Sequence, residues 1–296
     1  MMKGLCCIVF FTLHSSLFTS CTEDQLDSTS IFENDIAKRR DTPAFDRWLN
    51  KNFVDQYNIE FKYRFEDMET DFTYNLVPAD RDKAIETAHV LLHGWLKAYE
   101  EIAGLDFTRR YVPKLIQLVG CVANVKGSYK LGTAEDGLKV TLYGVNNFRP
   151  SDADDLRNYF QIIHHEFVHI LTHNKDYDVA FRTISDGKYV TGEWVSKGET
   201  DALKSGFINT YAMSEYNEDF AETLSFYLLY TPETWSQKMT IAGDEGSAII
   251  GQKLDIVRSY MRSAWNIDID QMRDILQRRV NDITSGQVDL KSLDEE

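Results

Sequence analysis

The sequence predicts an α+β fold, with a small mixed sheet and a long helix followed by a mainly helical C-terminal lobe. Three observations carry this. The strand-like runs IEFKYRFED, KLIQLVGC and KVTLYGVNNF all fall before residue 150. From DADD onward, apolar residues recur with a helical period, most clearly in the stretch containing HHEFVHILTHNK. No repeat or low-complexity run interrupts this succession of strands and then helices, which is the pattern of a sheet packed against segregated helices.

Taken in order, the chain opens MMKGLCCIVFFTLHSSLFTSC, with Lys3 the only charged residue before Cys21. The apolar run from Leu5 to Phe18 reads as a secretory leader, residues 1–20, and His14, Ser15 and Ser16 make it too broken to span a bilayer. The ending LFTSC resembles a bacterial lipobox, which implies lipidation at Cys21. Residues 21–35, TEDQLDSTSIFEND and its leading cysteine, are acidic and read as a tether. A folded domain is expected over 36–290, with an N-terminal lobe over about 36–175 and a helical lobe over about 176–290.

Within that domain, Phe45, Trp48, Leu49 and Phe53 suit a short helix. RDKAIETAHVLLHGWLKAYEEIAG has the period of a long one. His89 and His93 stand four apart on it, but Val90 replaces any general base and no partner ligand is evident, so they read as interface histidines. KVTLYGVNNF is either a free edge able to pair with an extended peptide or an interior strand. Ser151 or Asp152 caps the next helix. Beyond it come a Gly-punctuated loop from Asp186 to Ser205, a helix over Glu218 to Tyr230, and two more over about Glu245–Trp265 and Asp270–Ile283.

A net charge of −15 excludes a basic nucleic-acid footprint. Of the four cysteines, Cys6, Cys7 and Cys21 lie in the leader or at its end, so no internal disulfide framework is available. Cys121 reads as a small buried hydrophobe.

The chemistry concentrates in HHEFVHILTHNK. Phe160, Ile163, Phe167 and Leu171 form one stripe of the helix, leaving His165 and His169 to face a cleft together, one turn apart. Two imidazoles at that spacing can chelate zinc, and Glu166, displaced around the helix, can reach a water beside it. A third ligand is needed. His173 lies about 80° round from His165 and two turns away, too far to share a tetrahedral ion, and His164 is a bystander. In INTYAMSEYNEDFAETLSFYLLY, Glu218 and Glu222 share one face of a helix start, and a His, His, Glu set leaves the fourth position open.

HEFVH followed by TYAMSEYNEDFAETLSFY is similar to the gluzincin-type peptidases related to anthrax lethal factor, and more so to the zinc-binding metallopeptidase lipoproteins of Bacteroidetes. The resemblance implies a zincin-like fold, a Zn2+ cofactor and hydrolysis of a peptide or protein substrate. It implies that Glu218 is the third zinc ligand, Glu222 fixes a ligand imidazole, Glu166 is the general base and Tyr211 faces the substrate oxyanion. It implies an outer-membrane lipoprotein held by its lipid, facing periplasm or cell surface. A second reading is a non-catalytic surface lipoprotein that binds glycan or protein on a peptidase-like fold. The intact Glu166 argues against it, because a purely structural zinc has no chemical need of a base.

Overall fold

The computed structural model describes residues 43–66, 73–125, 128–130, 132–135 and 138–294. The leader, Cys21 and the tether lie outside the described residues. From Pro43 onward the chain packs as one unit.

Helix α1 (Ala44–Leu49) runs on through a π-helical turn at Asn50–Asp55 and buries Phe45, Trp48, Leu49 and Phe53, as their spacing predicts. β1 is the short strand Glu60–Lys62. The long periodic stretch forms α2 (Arg81–Leu91), a π-helical turn over Leu92–Leu96 and α3 (Lys97–Ala103), followed by α4 (Leu105–Tyr111). His89 and His93 are interface residues. His89 Nε2 lies 2.9 Å from the Ser292 carbonyl oxygen, with its ring against Trp48, and His93 Nε2 lies 3.5 Å from Asp282.

The main sheet is built from β1, β2 (Leu115–Leu118), β5 (Gly132–Glu135) and β6 (Lys139–Leu142), in the order β1-β2-β6-β5. β1, β2 and β6 are parallel, and β5 joins β6 antiparallel. β3 (Ala123–Val125) and β4 (Ser128–Lys130) make a separate hairpin. Of the two readings of KVTLYGVNNF, a free edge or an interior strand, the interior strand holds. β6 pairs on both sides, and it is buried on both faces through Val140, Thr141 and Leu142, as interior parallel strands are. Cys121 is half-buried rather than buried. It packs with Val119, Ala123 and Tyr143 and accepts a hydrogen bond from Val77 N at 3.4 Å.

α5 (Ala153–Asn174) is the central element. Asp152 is its cap, with Oδ1 accepting from Asp154 N at 3.0 Å and Asp155 N at 3.2 Å. Phe160, Ile163, Phe167 and Leu171 are all buried, as the stripe predicts. Gly94 lets α5 approach the long rod closely, since a Cβ there would stand 2.2 Å from Phe160 Cζ. On its other flanks α5 meets β5, β6 and a second buried helix, α8 (Tyr216–Leu229).

The Gly-punctuated segment between them is more ordered than its sequence suggests. It holds α6 (Ala180–Ile184), a 3-10 turn at Thr191–Ser196 and α7 (Glu199–Lys204). α9 (Pro232–Trp265) starts thirteen residues before its expected start, breaks at Gly243 with φ of 69°, and is followed by α10 (Ile269–Thr284). Pro232 ends one helix and opens the next, with Thr231 Oγ1 accepting from Thr234 N at 3.2 Å. Among the described residues no helix is long and apolar enough to cross a membrane.

Candidate metal centre

α5 and α8 bring together residues 165, 169 and 218. His165 Nε2 lies 3.0 Å from His169 Nε2. Glu218 Oε2 lies 2.9 Å from His165 Nε2 and 3.4 Å from His169 Nε2. Ligands about 2.0–2.1 Å from a tetrahedral zinc ion stand roughly 3.3 Å apart, so the spacing fits. Glu218 Oε2 is also buried, with the two imidazole nitrogens as its near neighbours. Such an oxygen is costly unless a cation satisfies it. Both observations say that the residues present suit a divalent metal.

Glu222 lies behind this set. Its Oε1 is 2.6 Å from His165 Nδ1, on the far side of the ring from Glu218. Gln161 Nε2 donates to the same oxygen at 2.8 Å, and Asn209 Nδ2 donates to Oε2 at 2.5 Å. Asn209 Oδ1 in turn accepts from Ala212 N at 2.9 Å. The carboxylate is thus clamped from both sides. A clamped carboxylate on Nδ1 fixes both ring orientation and tautomer, so that Nε2 is presented to the site.

Electrostatics follow from this packing. Burial alone would lower the His165 imidazolium, but Glu218 and Glu222 outweigh it and push the group up to about 10. Burial would raise Glu218, and the two histidines instead hold it well below the usual carboxylate range. Glu166 is pushed upward, chiefly by burial. Burial and then the Glu218 carboxylate push the Tyr211 phenol up, so it stays a hydrogen-bond donor. Tyr211 is fixed between rings, 5.9 Å from His165 and 4.9 Å from Trp194.

A cleft of about 540 Å³ opens over the set, lined by His165, Glu166, His169, Glu218, Tyr211 and His173 among others. His173 is exposed at its rim and is not one of the three converging residues. His164 is fully buried on the opposite face, 3.0 Å from the Tyr99 hydroxyl, and burial lowers it to about 3, so it is a neutral core residue.

A sequence profile of the family described as "Putative zinc-binding metallo-peptidase" matches residues 38–270. The chain belongs to this metallo-peptidase family. A crystal structure from Bacteroides caccae, described as a "putative zinc-binding metallo-peptidase", is 42% identical with a TM-score of 0.76, covering 90% of this chain and 98% of that one. No curated protein matches the chain.

In this member of the metallo-peptidase family, the sequence reading had missed Gln161 and Asn209. Gln161 stands one helical turn before His165, on the same face, and that spacing was the available signal. Asn209 gives none, because it is an ordinary loop amide until the fold carries it to Glu222.

Proposed function

We propose that the chain is a zinc-dependent metallopeptidase of zincin-like fold, tethered to the cell envelope through a lipidated Cys21. The convergence of His165, His169 and Glu218 behind an intact Glu166 carries the reading. Zinc, when bound by these three, supplies a Lewis acid that lowers the pKa of a water and polarises the scissile carbonyl. Glu166 takes the proton of the attacking water and returns it to the leaving amine. Tyr211 donates a hydrogen bond to the developing oxyanion, a contribution typically worth about 3 kcal/mol. Glu222, held by Gln161 and Asn209, keeps His165 in register throughout.

The reading is tested by incubating zinc-loaded protein with a proteome-derived peptide mixture and reading new termini by mass spectrometry. Termini that disappear under chelation and in Glu166→Gln establish a peptidase. Their absence from protein shown to hold one zinc would favour the binding-module alternative.

Ligand and positioning roles separate by metal content. Glu218→Ala should lose zinc outright, whereas Glu222→Ala should weaken affinity by about 10- to 100-fold. Tyr211→Phe should keep zinc and cut more slowly. The reverse order for the two glutamates, read by metal analysis, would mean that their roles are exchanged. Anchoring is tested separately, since Cys21→Ala should move the protein from the membrane to the soluble fraction, and continued membrane association would rule out the lipid.

A further inference from the structure

The cleft over the metal centre has one wall of a different character from the rest of the chain. Besides the metal-centre residues it is lined by Arg110, Tyr111, Val112, Lys114 and Leu138, all from the segments that enter β2 and β6. Two cations therefore face a cleft in a protein whose formal charge is −15. Among the described residues, the only carboxylates lining that cleft are Glu166 and Glu218, both already committed to the centre.

The two cations are left available by their surroundings. The neighbouring Arg109 is turned away, its Nε donating to the Gln56 carbonyl at 2.5 Å. Arg110 does not share that tie. Its guanidinium lies over the Tyr111 ring at 5.5 Å, and Tyr111 is itself wedged against Phe107 at 5.1 Å and Trp265 at 4.8 Å. A guanidinium resting on a fixed aromatic face keeps its N–H edge free for a bidentate acceptor. Lys114 is half-buried and, among the described residues, donates only to the Arg109 carbonyl, at 2.5 Å, which leaves two further protons. Among the described residues neither cation is paired with a carboxylate.

We propose that this wall is a carboxylate-binding subsite, with Arg110 and Lys114 selecting peptides that present a carboxylate a short distance from the scissile bond. The inference rests on the peptidase reading above and names its substrate class. The carboxylate has two sources, an Asp or Glu side chain or the peptide's own C-terminus. Partial desolvation in the cleft makes such a charge-assisted pair worth about 10- to 100-fold in affinity. Focusing of the field by the cleft walls makes the preference fall with salt.

The test uses zinc-loaded protein and a set of dye-labelled octapeptides. Each position carries Glu or Gln in turn, and each peptide is made with a free and with an amidated C-terminus. Cleavage is followed as kcat/KM with the wild-type protein. Binding is followed by fluorescence anisotropy with the Glu166→Gln protein, which reads affinity without turnover. The same pairs are then run with Arg110→Gln plus Lys114→Gln, exposed or half-exposed positions whose exchange leaves the core intact.

The expected result is an acid-over-amide ratio of about tenfold or more at one position or at the C-terminus, falling toward one in the double variant. A position effect identifies a side-chain carboxylate, and an effect of amidation identifies the C-terminus. Cleavage without any acid-over-amide difference overturns the inference and leaves the peptidase standing. Selective binding with no cleavage retains the subsite and overturns the peptidase. A preference unchanged in the double variant, or no binding by any peptide, overturns the subsite.

Discussion

Glu166→Gln is expected to lower kcat/KM for peptide cleavage by about 10²- to 10⁴-fold while leaving bound zinc unchanged, the range lost when a general base is removed. The exchange is nearly isosteric, and Glu166 is not among the three residues whose ligand atoms converge. The metal set and its supporting amides are therefore untouched. Glu166 lines the cleft, and burial pushes its carboxyl upward from the ordinary value, so it is a better proton acceptor than an exposed glutamate. Metal analysis and steady-state kinetics on one preparation decide the matter. Lost zinc would make Glu166 structural, and full turnover with zinc retained would remove it from the chemistry.

Lys253→Met is expected to destabilise the protein by about 3–5 kcal/mol, measured as a shift in urea unfolding. Lys253 Nζ lies 2.6 Å from Asp219 Oδ2, with both side chains fully buried. The lysine also donates to the Gly206 carbonyl at 2.8 Å and stands 3.9 Å from the Phe207 ring centre, while the Tyr189 hydroxyl donates to Asp219 at 2.9 Å. Burial pushes Asp219 up to about 6 in spite of its partner, and burial pushes Lys253 down. Desolvation of both charges therefore outweighs their attraction. Removing the lysine takes the donor from the Gly206 carbonyl and leaves the Asp219 charge without a cation in the core, held only by hydroxyl donors such as Tyr189. Lys253→Met combined with Asp219→Asn should recover part of the loss, because the uncompensated charge is then gone. A single-variant loss within ~0.5 kcal/mol would put the pair among ordinary surface contacts.

How much of this could be read beforehand depends on the element. α5 was fully legible, because a capping aspartate, a helical stripe and a metal-ligand spacing all agree on one helix. Tyr211 became visible only through a family resemblance, which also singled out Glu218 from the Glu218 and Glu222 pair that the helix start offers. Spacing alone could not say that Glu218 rather than Glu222 would converge with the histidines, since both lie on one face of α8. The interior position of β6 was hidden because a short apolar run is the same whether one or two neighbours pair with it. The early start of α9 was hidden by Pro232, which reads equally as a stop and as a first helical residue. The Asp219–Lys253 pair was invisible for another reason, as its members are 34 positions apart and nothing in the sequence around Lys253 marks it as the partner of Asp219.

The direct packing of α5 on α8 also bears on how the family can vary. The residues between them close a loop whose two ends are already fastened by the helices, and most of residues 191–201 face solvent. Doubling the length of such a loop costs only about 0.6 kcal/mol of chain entropy. Most of that span is free to grow, shrink or acquire new contacts without moving a metal ligand, while Tyr189, Trp194 and the 207–211 end are bound into the site and its supporting core. Variation in length should gather in residues 195–201, leaving the two helices as a fixed frame around which relatives diversify what they recognise.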